Sequence, residues 1–492
     1  MVKVPEARGK TRGRIQIGAD DPSLTGNGGM LAVTELCARL GLISELDSGI
    51  GPVKQRARGF SGGQVLAGMA AAQLAGEDFL VGLDRVRADA AGQLLVPVPG
   101  LSASTATGIV RRFAGRHWRG AEKGLAKTTA RMIGLLPAER AAELAGGPVA
   151  IDIDATDVEV YGSKKRGVDW NYQGQRAGRP DVAVWAETEI PLAADLLSGK
   201  DDPRSSVTGL LTRALAALPE AVREGAAAAG CKIRLRADAG YFAGELARAA
   251  AAQGLESAIG AKRIASMWRA LAGIAEDAWR DAADMHGAQV AVSPYKPGEW
   301  PEGTVLLVRR VKLDPEQAPA DPRSRRRRTL HPDQRALPFD ELEAEPAIYA
   351  YSFICTNLDV STPAKAVTVE YWYRHRTTVE NVFRDSKHGA ALRHLPSGYT
   401  EVNTAWMWAS LIAAAIAAWC HQLTGVISGG KLIEGHGVRG GKAMIATLRR
   451  VLIAVPARLV SHGGQLIMRL APGPWLLPGI LAAIRALPAP AG

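Results

Sequence analysis

Apolar residues recur at helical spacing through roughly the first 145 residues and at strand spacing afterwards, and the change falls at Gly146-Gly147-Pro148. From Gly29 to about Ala145, segments such as MLAVTELCARLGLISEL and GGQVLAGMAAAQLAG put apolar positions three and four apart with little β-branched alternation, which predicts several helices. After the Gly-Gly-Pro, Val149, Ile151 and Ile153 share one face of a predicted strand while Asp152 and Asp154 share the other. Further strands are expected at Val182–Glu189, Ile190–Leu197, Ile233–Ala237, Ser257–Gly260, Ala288–Ser293, Gly303–Lys312 and Ile348–Cys355. Helical patterns lie at Val207–Leu218, Gly244–Gln253 and Thr368–His388, and the remainder to Gly492 reads as Ala/Leu-rich helix. Strands followed by strand–helix alternation imply a mixed α/β sheet flanked by helical N- and C-terminal regions.

These patterns divide the chain into a basic arm (1–14), a helical region (15–147), an α/β region in two pieces (148–285 and 346–400), a β-rich insertion between them (286–345) and a helical C-terminal region (401–492). Inside the helical region, Leu101–Phe113 has a serine cap and ends near arginines, as the second helix of a helix-turn-helix would; an ordinary capped surface helix fits equally well. The insertion carries a Pro- and Arg-rich loop, Asp314–Leu330, expected to be mobile. The longest uncharged apolar run, Ala405–Cys420, falls short of the roughly 20 residues that span a bilayer, so it reads as a buried core helix and no membrane partner is expected.

Composition narrows the picture further. With 47% hydrophobic and 22% charged residues the chain is globular in character, which excludes collagen-like, coiled-coil and wholly disordered classes. A net charge of +11 favours a polyanionic partner, nucleic acid first. Cys37, Cys231, Cys355 and Cys420 are widely spaced, with no CxxC pair, so neither a disulfide framework nor a zinc knuckle is indicated. The opening residues are basic and polar with no apolar segment behind them, and the expected compartment is the reducing cytoplasm.

Two strands deliver aspartates at their ends. Asp154-Ala155-Thr156 closes the first, and Asp238-Ala239-Gly240-Tyr241-Phe242 follows the strand that begins near Ile233. A carboxylate at a strand end more often caps or turns the chain than binds metal. Two such strands lying side by side, however, would bring Asp154 and Asp238 together, where their mutual repulsion calls for a divalent cation. Along the predicted helix Thr368–His388, Tyr373, Arg376, Glu380 and Lys387 project at about 0°, 300°, 340° and 320°, a single stripe. A solvated polar face would give the same stripe, but this one lies between an apolar strand and an apolar helix, where it should meet the domain.

The series Tyr373-x2-Arg376-x3-Glu380-x6-Lys387, preceded by Asp154-Ala155-Thr156 and Asp238-Ala239-Gly240-Tyr241-Phe242, resembles the signature of the DDE transposases of bacterial insertion sequences. The resemblance covers roughly residues 150–400, and the helical N-terminal region is similar to that of the insertion sequence 1380 group. It implies an RNase H-like mixed-sheet core in which Asp154, Asp238 and Glu380 are catalytic and hold Mg²⁺ or Mn²⁺. It also implies that the stretch between Asp238 and Glu380 contains the β-rich insertion typical of this branch.

The residue types agree with that chemistry. Hydrolysis and transfer of a phosphodiester use two hard cations, one at the attacking oxygen and one at the leaving oxygen, and carboxylates suit magnesium or manganese. Arg376 and Lys387 are then expected to hold DNA phosphates, or else to pair with acids such as Asp385. Tyr373 either contacts DNA or packs. Lys164, Lys165, Arg166 and the run Arg325, Arg326, Arg327 and Arg328 are further candidates for DNA contact, each also readable as a solvated loop. Trp300 is a candidate for stacking on an unpaired base, with core packing the alternative.

The expected function is therefore that of a transposase which binds double-stranded terminal repeats, cleaves them with metal and joins them to target DNA, working as a homodimer at the nucleoid. The alternatives are a non-catalytic DNA-binding regulator and an RNase H-like nuclease without strand transfer.

Overall fold

The structure is a computed structural model that describes residues 18–55, 58–314, 316, 321, 323–337, 341, 347–425, 443–473 and 475–488; the basic arm lies outside them. Helices fill the described chain up to Gly146: α1 (Met30–Leu40), α2 (Leu42–Ile50), α3 (Gly62–Ala75), α4 (Ala103–Val110) and α5 (Gly115–Gly134) are the principal ones. A reciprocal capping box starts α3, with Ser61 Oγ accepting from Gln64 N–H and the Gln64 side chain accepting from Ser61 N–H. Helices α2 and α5 cross at glycines, since a Cβ on Gly49 would stand 2.1 Å from the Gly120 carbonyl oxygen.

Segment 101–113 contains α4, capped by Ser102 Oγ, which accepts from Thr105 N–H at 3.2 Å. The helix before it (Gly82–Ala88) ends far upstream, with a 3₁₀ turn at Gly92–Leu94 between them. The short turn comes after α4, ahead of α5, so α4 is not the second helix of a helix-turn-helix.

The sheet begins with β1 (Ala150–Ala155), followed by the hairpin β2 (Arg176–Trp185) and β3 (Ile190–Ser198). Next come α6 (Val207–Ala217), β4 (Arg234–Ala237), α7 (Gly244–Ala252) and β5 (Glu256–Ala261). The order β3–β2–β1–β4–β5, with β3, β4 and β5 parallel to β1 and β2 alone reversed, is the RNase H-like arrangement. Strands β6 (Ala288–Ser293), β7 (Val305–Leu313) and β8 (Ile348–Thr356) continue the same sheet antiparallel beyond β5, in the order β5–β8–β7–β6. The stretch expected as an insertion thus supplies the far edge of the sheet. Its arginine-rich loop is anchored where it returns: Arg327–Thr329 form a 3₁₀ turn, and the fully buried Leu330 packs with Leu313 and Ile348 and bridges to Ala350.

Where a single helix was expected over Thr368–His388 there are two, α8 (Pro363–Arg374) and α9 (Thr377–Gly389). The chain tightens into an i→i+3 turn as Arg376 N–H donates to the Tyr373 carbonyl, and the β-branched run Thr377-Thr378-Val379 opens the new helix. Helix α10 (Thr400–Cys420) then packs against α3 and β3 and is buried along nearly its whole length, as a core helix. The C-terminal region is not wholly helical: β9 (Ala457–His462) and β10 (Gln465–Leu470) form a hairpin that captures Leu24–Thr25 as a third strand. Gly463 and Gly464, both at positive φ, make its two-residue turn. All four cysteines are free thiols.

Candidate active site

Both aspartates of β1 lie on the sheet face that α8 and α9 approach, but their environments differ. Asp152 is fully buried and accepts a bidentate pair from Arg236 on β4, at 2.6 and 2.9 Å. Arg236 also donates to the Trp372 carbonyl in α8 at 2.7 Å, so the pair locks β1, β4 and α8 together. Asp154, two residues on at the strand end, keeps partial access to solvent. Its Oδ1 accepts from Ala155 N–H at 2.8 Å, and its Oδ2 accepts from Arg376 at 3.0 Å. Burial raises its carboxyl to about pKa 6, with Arg376 opposing and Asp238 adding to the rise.

Asp238 follows β4, which is parallel to and hydrogen-bonded with β1, so adjacent strands deliver Asp154 and Asp238 at the same end of the sheet. Its Oδ1 accepts from Gly240 N–H at 2.8 Å and caps the 3₁₀ turn Ala239–Tyr241. That turn is clamped from two sides. Tyr241 donates its hydroxyl proton to Asp181 Oδ1 at 2.5 Å on the opposite face of the sheet, and Gly260 of β5 leaves no room for a side chain. A Cβ on Gly260 would meet Tyr373 Oη at 2.6 Å and Ala239 N at 2.8 Å.

The break between α8 and α9 separates the four signature residues, which therefore do not form one helical stripe. They nevertheless converge on the strand ends. Tyr373, in the last turn of α8, points inward and donates to the Ala237 carbonyl at 3.1 Å; burial pushes its phenol up to about 12. Arg376, at the break, reaches Asp154 and, at 3.9 Å, Glu380 Oε1. Burial pulls its guanidinium down, but Asp154, Tyr373 and Asp238 outweigh that and hold it above its ordinary value. Glu380, in the first turn of α9, is 62% exposed. Lys387 donates to Thr156 Oγ1 at 2.6 Å and to the Asp157 carbonyl at 2.9 Å, and burial lowers its pKa against the pull of Asp157. It ties α9 to the end of β1, and its bonds go to Thr156 and Asp157 instead of Asp385.

Asp154, Asp238 and Glu380 are donors of the right kind for a hard divalent cation, with Asp154 already destabilised as an anion by burial and by Asp238. Among the described residues no three acidic, histidine or cysteine side chains are gathered closely enough to hold an ion. Arg376 bridges Asp154 and Glu380 and supplies the positive charge between them. The donor types suit a hard cation, and holding one with all three would require the 62% exposed Glu380 to turn inward in place of the Arg376 contact.

The remaining basic candidates divide by orientation. Lys164 and Arg166 are exposed, whereas Lys165 is turned inward, its ammonium donating to the Leu395 carbonyl, and burial lowers its pKa. Arg325, Arg326 and Arg328 are exposed; Arg327 is half-buried and donates to the Arg335 carbonyl. Trp300 is buried against Phe242, with ring centroids 5.2 Å apart, and is not available to a base. Two supporting residues escaped the sequence reading. Arg236 shows the period-two signal that found the aspartates, two residues before Asp238 as Asp152 is two before Asp154. Asp181, whose buried Oδ2 has no hydrogen-bond partner, lies in a strand with nothing to distinguish it.

An RNase H-like sheet carrying carboxylates at the ends of β1 and β4, with a third on a helix beside them, defines an enzyme of phosphodiester chemistry. Residues 8–320 match the transposase DDE domain group 1 family, and the chain belongs to that family. It is a DDE transposase, an enzyme class that acts on DNA with divalent metal. The match includes Asp154 and Asp238 and stops before α8 and α9. No curated protein matches the chain. Among solved structures, the chain is similar to the cryo-EM structure of a piggyBac transposase synaptic complex with hairpin DNA, at 10% identity and a TM-score of 0.40, covering 86% of this chain and 78% of that one.

Proposed function

We propose that the protein is the transposase of an insertion sequence, of the insertion sequence 1380 group, and that Asp154, Asp238 and Glu380 are its catalytic acids. The observation that carries this is the delivery of Asp154 and Asp238 by adjacent parallel strands, with Glu380 linked to Asp154 through Arg376. The three carboxylates would hold Mg²⁺, or Mn²⁺ in its place, and the chemistry such a metal would supply there is activation of the attacking water or 3′-hydroxyl and stabilisation of the leaving oxygen. Around them, Arg236 fixes the spacing of β1 and β4 through Asp152, and Tyr373 and Tyr241 hold the turn that carries Asp238. Lys387 sets the end of β1, and Arg376, once off Asp154, is within reach of a phosphate. Lys164, Arg166 and the outward arginines of 325–328 extend a basic surface for terminal-repeat and target DNA. A substrate with two ends favours a homodimer acting in the cytoplasm at the nucleoid.

Incubating labelled element ends with a supercoiled target plasmid and Mg²⁺ tests this. The expected products are ends cleaved to 3′-hydroxyls and covalently joined to plasmid, reduced at least about a hundredfold in Asp154→Asn and Asp238→Asn. Cleavage without joining would favour the nuclease alternative. Binding with neither reaction would favour the non-catalytic one.

A further inference from the structure

Three of the large side chains left most exposed, Tyr161 (90%), Trp170 (61%) and Tyr172 (85%), lie on one excursion of the chain, residues 160–175, which departs just after Asp154 and returns as β2. The excursion is braced by polar contacts. Arg179 and Asn171 hold Asp157 at 2.7 and 2.8 Å, Asn171 Oδ1 accepts from Gln173 N–H and Gln175 N–H, and Arg176 donates to the carbonyls of Gly162 and Lys165. The aromatic rings take no part in this bracing. Among the described residues, Tyr161 hydrogen-bonds to Glu159 beside it and Tyr172 to Gln173. A rigid mount that holds three aromatic rings in water marks a contact surface.

The charge around the rings identifies the occupant. Lys164 and Arg166 lie between them and, among the described residues, have no ion-pair partner; Asp169 is neutralised by Lys200 at 2.7 Å. Arg166 and, from the end of α4, Arg111 both lie over the Tyr399 ring, at 5.7 and 3.9 Å from its centroid, which extends the positive surface toward the helical region. Aromatic faces interleaved with unpaired cations suit nucleotides whose bases are free to stack. An intact duplex offers phosphates but keeps its base faces covered. A second copy apposed through this surface would set Lys164 and Arg166 against their own counterparts.

We propose that residues 160–175 bind unpaired nucleotides of the DNA strand adjoining the phosphate that reacts at Asp154 and Asp238. The inference rests on the active-site reading above. Fluorescence anisotropy without metal, using a blunt duplex and the same duplex with a short unpaired flap at one end, tests it on the full chain. Wild type should bind the flapped duplex about tenfold more tightly than the blunt one. Tyr161→Ala with Tyr172→Ala, and Trp170→Ala separately, should lose that preference while blunt-duplex affinity changes less than about twofold. Tyr161→Phe with Tyr172→Phe keeps the rings and should keep the preference, which separates stacking from misfolding. A wild type with no flap preference, or alanine variants that retain it, overturns the proposal. So does light scattering in which the alanine variants turn a DNA-free dimer into a monomer, which would assign the surface to a second copy. If wild type binds neither probe, the DNA-processing reading beneath the proposal fails with it.

Discussion

Arg376 supplies the positive charge at the candidate active site, with its guanidinium against Asp154 and beside Glu380, in the place the proposed metal would take. Arg376→Ala should therefore have opposite effects on fold and metal. Without metal the acids lose their compensation and the protein loses about 1–3 kcal/mol of stability, measured by denaturant unfolding. Mn²⁺ binding by calorimetry should tighten, because no cation has to be displaced. Weaker metal binding would make Arg376 an organiser of the metal site instead. A second prediction concerns Asp181 and Glu187, both raised to about pKa 7 by burial. Their folded pKa values exceed the unfolded ones, so the native state binds the extra protons, and stability from these groups is present below about pH 4 and is lost as pH rises to about 7. Asp181→Asn keeps an acceptor for Tyr241 and should flatten that decline by on the order of 2–4 kcal/mol between pH 4 and 8, read from unfolding midpoints across the range. An unchanged slope would show that Asp181 is ionised throughout.

At the scale of elements, legibility depended on whether the signal was local. The alternation of Val149, Ile151 and Ile153 against Asp152 and Asp154 fixed a strand and its two faces, and the same alternation located β4. The break between α8 and α9 was not legible, because Tyr373 to Lys387 keep an acceptable helical spacing, while the contacts that hold the end of α8, from Tyr373 to the Ala237 carbonyl and from Arg236 to the Trp372 carbonyl, are tertiary. The C-terminal hairpin carried a readable Gly463-Gly464 turn between alternating runs, but it was masked by the Ala- and Leu-rich sequence around it. Gly260 reads as an ordinary strand glycine, and its meaning comes from three elements meeting over it. Gly260→Ala should force Tyr373 or the Asp238 turn aside, costing about 1–3 kcal/mol in denaturant unfolding and lowering DNA cleavage far more than DNA binding. Wild-type cleavage would show that the turn has slack the geometry denies.

Across the whole molecule, one sheet runs from the β2–β3 hairpin through the active-site strands to β6, so the stretch that looked inserted by composition is continuous with the core. Sequence alone suggested a separate unit because the Pro- and Arg-rich loop interrupts the pattern, while Leu330, which ties the loop back to β8, is a single apolar residue. The excess of 11 positive charges predicts DNA affinity that falls steeply with salt. Replacing Arg325, Arg326 and Arg328 with alanine should shallow that dependence in salt titrations, and an unchanged slope would leave these arginines away from DNA. The proposed metal is held jointly by Asp154, Asp238 and Glu380. Anomalous diffraction from crystals of the protein bound to a DNA end and Mn²⁺ tests it most directly. Density is expected within about 2.5 Å of carboxylate oxygens from Asp154, Asp238 and Glu380, with Arg376 moved off Asp154. Manganese bound elsewhere, or at Asp154 and Asp238 with Glu380 still turned to solvent, would contradict it.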